Sequence, residues 1–151
     1  MADHSILNQI QEAVKSAMRI HNKELTTTLR MAISEIKKEE IDSKVEVDDS
    51  LVTTILQRMI KQRKDASSQF NEANRKDLAD KEIREINMLS EYLPEQISEK
   101  DLLEIVSEEM AAIDAKSMKD MGKAMGALKP KLHGKADMSM VSKIVKELLS
   151  D

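Results

Sequence analysis

The stretch LVTTILQRMIKQRKDASSQF, residues 51–70, decides the fold class. Its apolar side chains are Leu51, Val52, Ile55, Leu56, Met59, Ile60, Ala66 and Phe70. They recur with the 3.6-residue period of an α-helix and form one apolar stripe with charge opposite, as a bundle helix needs. Arg63 falls on the stripe. An arginine there buries its stem and pairs with a carboxylate, so it is read as structural. Arg58, Lys61 and Lys64 complete that basic cluster.

Outward from this stretch the same pattern recurs. Ile6, Ile10, Val14, Ala17 and Met18 form one stripe, and Leu25, Leu29, Ile33 and Ile36 a second. Leu78, Ile86, Leu89 and Leu93 form another on the C-terminal side. The breaks are His21-Asn22-Lys23, the polar run Asp42–Asp49 with candidate N-caps Asp48 and Asp49, and Asn71–Asn74. Pro94 disfavours helix at Leu93. Ser98-Glu99-Lys100-Asp101 then reads as a fresh N-cap, so a boundary is expected near residue 95. Leu102, Leu103, Val106, Met110 and Ile113 predict the next helix. Ser117-Met118-Lys119-Asp120 signals another, running through Met121, Met125 and Leu128 to end at Pro130. Lys129 to Ala136 is expected as a loop. Asp137 or Ser139 caps a last helix that buries Met140, Val141, Ile144, Val145, Leu148 and Leu149. The expected architecture is all-α: a four-helix unit over residues 1–95 followed by a three-helix unit over residues 96–151.

Composition agrees. The 151 residues include 3 Gly, 2 Pro, 1 Tyr and 1 Phe, with no Cys and no Trp. So few turn formers leave little room for a sandwich or barrel. Absence of cysteine excludes disulfides, thiolate metal sites and a cysteine nucleophile. Two aromatics cannot build the stacking platforms of single-strand binders. The formal net charge is -4, so any nucleic-acid site has to be a local basic patch. No apolar stretch approaches the roughly 20 residues of a membrane span. Asp3 and Glu12 interrupt any signal-like run at the N-terminus. A cytoplasmic location without membrane contact is expected.

Little catalytic chemistry is available. His4, His21 and His133 lie in a fringe, a turn and a loop, with no nucleophile or orienting carboxylate in a motif around them. The acidic pairs Glu39-Glu40, Asp48-Asp49 and Glu108-Glu109 are sequence neighbours that diverge on a helix. They suit solvated faces or caps. No catalytic residue, metal site or cofactor is expected.

One segment stands out. Lys116, Lys119, Lys123, Lys129, Lys131 and Lys135 face the single acid Asp120 between residues 116 and 135. Lysines dock phosphates as point charges and read no base. Gly122 and Gly126 lie four apart in MGKAMG inside an expected helix, where glycine costs ~1 kcal/mol relative to alanine. Either close packing against a neighbouring helix or close approach to a ligand backbone accounts for them. Gly134 gives the following loop backbone freedom.

Three stretches carry a family likeness: TLRMAISEIKKEEID (28–42), EYLPEQISEKDL (91–102) and SMKDMGKAMGALKPKLHGKADMSMVSKIVKEL (117–148). Through them the chain resembles stand-alone YqeY proteins of the GatB/YqeY family, over nearly its full length. The resemblance implies a four-helix bundle followed by a three-helix bundle. It implies kinship with the tail of the B subunit of the tRNA-dependent amidotransferase, a tRNA-contacting appendage. The family label is carbon–nitrogen ligase with glutamine as amido donor, but amide transfer takes place in domains outside this sequence, so the chain alone is not expected to be an enzyme. Carried over, the tRNA-facing candidates are Lys119, Lys123, Lys131, Gly134 and Lys135, and the basic run adds Lys129. Lys135 stands where the family pattern often has arginine, and Met138 where glycine is common. Two function classes follow. One is a tRNA-binding accessory, with an amidotransferase or aminoacyl-tRNA synthetase as partner. The other is a helical protein-interaction adaptor using Met118, Met121, Met125, Met138 and Met140.

Overall fold

The computed structural model describes residues 5–150. Those residues are all-helical, with no strand: α1 (Ser5–Arg19), α2 (Lys23–Ser43), α3 (Asp49–Glu72), α4 (Lys76–Ser90), α5 (Glu99–Ala112), a 3-10 turn (Met118–Asp120), α6 (Met121–Leu132) and α7 (Met138–Leu149). The chain divides into two compact units, one up to Leu93 and one from Pro94.

In the first unit α3 packs along α4 and α1 along α2, while α2 also meets α3 and α4 and α1 meets α3. The stripes meet in one core that includes Ile10, Leu29, Ile36, Ile55, Leu56 and Leu89. Side chains close the helix starts. Asn22 accepts from the Leu25 amide at 3.2 Å, and Asp48 from the Leu51 amide at 2.8 Å. Asp49 reaches further and accepts from the Ile6 amide at 2.9 Å, satisfying an orphan donor at the start of α1.

Helix ends explain how three glycines suffice. His21, Asn74 and Asp114 take left-handed φ of 57°, 58° and 55° just past α1, α3 and α5. After each, the next amide bonds back to the helix: Asn22 to Ala17 O, Arg75 to Phe70 O and Ala115 to Met110 O. These are Schellman ends with a non-glycine residue in the position that usually takes glycine.

Several boundaries differ from the sequence reading. The run Asp42–Asp49 is not wholly polar in role: α2 extends to Ser43, and Val47 is buried in the core at 2% exposure. Helix α4 ends at Ser90, before Leu93, through turn bonds from Tyr92 and Leu93 to Leu89 O and Ser90 O. Met18, Leu103 and Leu148 lie at stripe edges and are exposed.

In the second unit α5, α6 and α7 pack on one another around Leu102, Val106, Leu128, Leu132, Val141 and Val145, and the 3-10 turn meets α6 and α7. The expected loop from Lys129 is corrected here: α6 continues through Pro130 to Leu132. Proline at 130 forfeits the bond to Gly126 O and costs ~3 kcal/mol in a helix interior, less near an end where fewer turns follow. Leu128 and Leu132, one turn apart, are 0% and 1% exposed. Fully burying each side chain stabilises by about 1.5–3 kcal/mol, which outweighs the lost bond.

Candidate nucleic-acid interface

The basic segment is built by the 3-10 turn, α6 and the turn after it. Asp120 shapes its entry. Its carboxylate accepts from the Lys116 amide at 2.8 Å and the Ser117 amide at 3.3 Å. Those amides, aided by the nearby Lys123 and Lys116 charges, hold the Asp120 carboxyl below the usual carboxylate range. The sole acid of the segment is thus tied into the backbone that precedes α6.

The exit is a type II turn. His133 has φ -55° and ψ 125°, Gly134 has φ 79°, and the Lys135 amide returns to Leu132 O at 2.9 Å. The third turn position requires positive φ, which glycine adopts without strain. Residues before α5 hold this turn in place: Gln96 Nε2 donates to Gly134 O at 2.7 Å, and the Ile97 amide to Lys135 O at 2.9 Å.

Between entry and exit, α6 turns its buried face, Ala124, Leu128 and Leu132, to the core. Gly122, Gly126 and Lys129, spaced i, i+4 and i+7, lie together on the exposed side. Among the described residues, a Cβ added at Gly122 or Gly126 would meet nothing within 4 Å. Of the two readings of the glycine pair, close packing against a neighbouring helix finds no packing atom among the described residues. The helix presents a strip of bare backbone instead.

The lysines separate by what they touch. Lys123 Nζ donates to Ile113 O at 3.0 Å and satisfies a carbonyl at the end of α5. Lys131 pairs with Glu109 of α5. Lys129 and Lys131 fall in the last turn of α6, where positive charge complements the helix dipole. Lys116 makes an exposed pair with Asp114 at 3.5 Å. Lys119, Lys129 and Lys135 are exposed and carry no such partner among the described residues.

The other candidates resolve as follows. Met121, Met125, Met138 and Met140 pack against the second core, which leaves only Met118 of the methionine group exposed, at 44%. His21 sits in the exposed turn after α1, His133 in the type II turn, and His4 lies outside the described residues. Arg63 is buried beside Glu85, its Nε 3.9 Å from Oε2, and Arg58 reaches Glu35 and Glu39 at 3.6 and 3.8 Å. No helix among the described residues is long and apolar enough to cross a membrane. Sequence reasoning did not find the partners of Lys123 and Lys131, because Glu109 lies on α5 and Ile113 caps its end, both distant in sequence.

The chain is similar to an uncharacterized protein of Schizosaccharomyces pombe, 37% identical over 89 residues that cover 59% of this chain and 72% of that one. It is similar to "Altered inheritance of mitochondria protein 41, mitochondrial" of Pyrenophora tritici-repentis, 27% identical over 150 residues, 97% of this chain and 82% of the relative. The protein of that name from Kluyveromyces lactis is 36% identical over 84 residues, 55% of this chain and 45% of its own length. The chain thus spans about half of the Kluyveromyces lactis relative. These names correct the expectation of a cytoplasmic protein, since the relatives bearing them are mitochondrial. The absence of cysteine bears on redox chemistry and does not choose between reducing compartments. The description "Yqey-like protein" matches residues 7–149. That match runs from the first turn of α1 to the last residue of α7, through both units and the whole α6 face, and the chain belongs to the YqeY-like family.

Proposed function

We propose that the chain is a non-catalytic accessory that binds tRNA through the exposed side of α6. In this reading the first unit is a four-helix bundle of α1–α4, and a three-helix bundle of α5–α7 carries the RNA contact. The observation that carries the proposal is the bare backbone at Gly122 and Gly126, bordered by the exposed Lys119, Lys129 and Lys135. An exposed helical glycine costs stability without filling a core. Two on one face let a bulky partner approach the helix closely. Lysines at both ends of that face, with the one acid of the segment tied to backbone amides, suit a polyanion.

Recognition would be by shape and phosphate, because point-charge lysines carry no base information and A-form RNA shows its bases poorly to side chains. Lys119, Lys129 and Lys135 hold phosphates, while Lys123 and Lys131 hold α6 against α5. The partner proteins of such an accessory would be enzymes that act on aminoacylated tRNA, an amidotransferase or an aminoacyl-tRNA synthetase.

The test is fluorescence anisotropy of labelled tRNA with the wild type and with Lys119→Glu/Lys129→Glu/Lys135→Glu. The wild type is expected to bind, and the triple variant to lose binding while keeping its helical circular dichroism. Equal binding by a folded triple variant would refute the proposal.

A further inference from the structure

A second site lies in the first unit. Between α2, α3 and α4 is a hollow of about 670 Å³, in the size range of small-molecule sites. Thr28, Met31, Gln62, Arg63, Lys81 and Glu85 are among its lining residues. Arg63 and Glu85 are each only 8% exposed, yet neither is saturated. Arg63 Nη1 donates to Met59 O at 3.1 Å. Its Nη2 has the Met31 sulfur at 4.0 Å, a weak acceptor. Its Nε–H is buried without a hydrogen-bond partner among the described residues, because Glu85 Oε2 stands 3.9 Å away, outside hydrogen-bond reach. Glu85 Oε1 takes only a long bond, 3.4 Å, from the Thr28 hydroxyl.

Buried polar groups in this state are rare and ask for an explanation. Nε and Nη2 form the lateral edge of the guanidinium, the planar fork that grips a carboxylate with two parallel bonds. The carboxylate oxygen set against that edge, Glu85 Oε2, stands too far from Nε to accept its hydrogen bond. Met31, the nearest atom to Nη2 among these contacts, is itself 45% exposed and has a flexible thioether that can swing aside.

Charge decides the ligand class. Lys23, Arg63, Lys81 and Arg84 line the hollow against Glu24, Glu82 and Glu85, one positive charge in excess. Arg84 is already held by Glu24 at 3.0 Å. A single excess charge suits a monoanion, whereas a phosphate dianion would meet the carboxylates of Glu82 and Glu85. We propose that the hollow binds a small carboxylic acid. Its carboxylate bridges Arg63 Nε–H and Nη2–H, and a neighbouring hydroxyl or amine donates to Glu85. The site uses residues of the first unit alone and does not depend on the RNA reading.

The test uses the full chain, with the Arg63 Nε–H and backbone amide resonances followed by NMR at constant ionic strength. Glycolate is the carboxylate probe, with chloride and inorganic phosphate as comparisons. A saturable downfield shift of Arg63 Nε–H with glycolate is expected, with phosphate binding more weakly because its second charge meets Glu82 and Glu85. Lys81→Glu changes an exposed rim charge without touching the core and should weaken glycolate about threefold. In a folded Arg63→Lys protein the glycolate shifts at Thr28 and Gln62 should vanish. Shifts that do not saturate, phosphate binding as tightly as glycolate, or unchanged glycolate binding by Lys81→Glu would each overturn the proposal.

Discussion

Replacing both α6 glycines with alanine should make the protein more stable and a worse RNA binder. The stability half follows from geometry. Neither new methyl meets an atom of the described residues within 4 Å, and neither glycine has positive φ. The backbone is already helical, so alanine removes conformational freedom from the unfolded chain without strain in the folded one. Each change contributes about 0.4–1 kcal/mol. The double variant Gly122→Ala/Gly126→Ala should gain about 1–2 kcal/mol. For a unit of this size each kcal/mol moves the midpoint by roughly 4–8 °C, so the transition of the second unit should rise by about 4–15 °C. Thermal unfolding followed by circular dichroism at 222 nm reads this directly. The binding half follows from the proposed contact: two methyl groups on the bare strip hold a polyanion away from Lys119 and Lys129. Loss of one or two phosphate contacts weakens tRNA binding about tenfold at moderate salt. A lower midpoint would refute the open-face geometry. A higher midpoint with unchanged tRNA affinity would refute the role given to the glycines.

Four other outcomes are expected. Lys129→Ala should weaken tRNA binding about sixfold at ~0.1 M salt and flatten the log–log salt slope by about 0.8, while Lys131→Ala, whose partner is Glu109, should change the slope less in the same titration. Gly134→Ala forces a side chain into a φ of 79° and should cost about 1–2 kcal/mol, read by urea unfolding. Arg63→Ala leaves the buried Glu85 without its cation and should cost about 3–5 kcal/mol, most of it recovered in Arg63→Met/Glu85→Leu. The Asp120 carboxyl is depressed in the fold, so its stabilisation is fully present above its unfolded value and is lost as pH falls through the lower folded value. Asp120→Asn should remove that acid-side loss from a stability–pH profile of the second unit.

The helices were legible because their causes are local. The run from Leu51 to Phe70 carries its period in the sequence, and Asp48 and Ser98 announce helix starts by hydrogen-bonding amides three residues on. What stayed hidden depends on distant partners. Pro130 reads as a stop until the burial of Leu132 is known. Val47 sits in a polar run, and only the fold shows that it faces the core. The six lysines look alike in sequence, yet Lys123 and Lys131 are engaged by α5 while Lys119, Lys129 and Lys135 are not. The glycine pair was legible as unusual, but whether a helix face is covered is a tertiary property. The loose contact between Arg63 and Glu85 was equally invisible, since the sequence showed only an arginine on an apolar stripe.

The central claim is that the α6 face holds RNA phosphates. Its most direct test is the salt dependence of tRNA binding by the wild-type chain, measured by fluorescence anisotropy. Three lysine contacts predict a log–log slope of about -2 to -3, which is a loss of roughly 15- to 60-fold between 50 and 200 mM salt. No binding at the lowest salt, or binding whose strength does not change with salt, would contradict it.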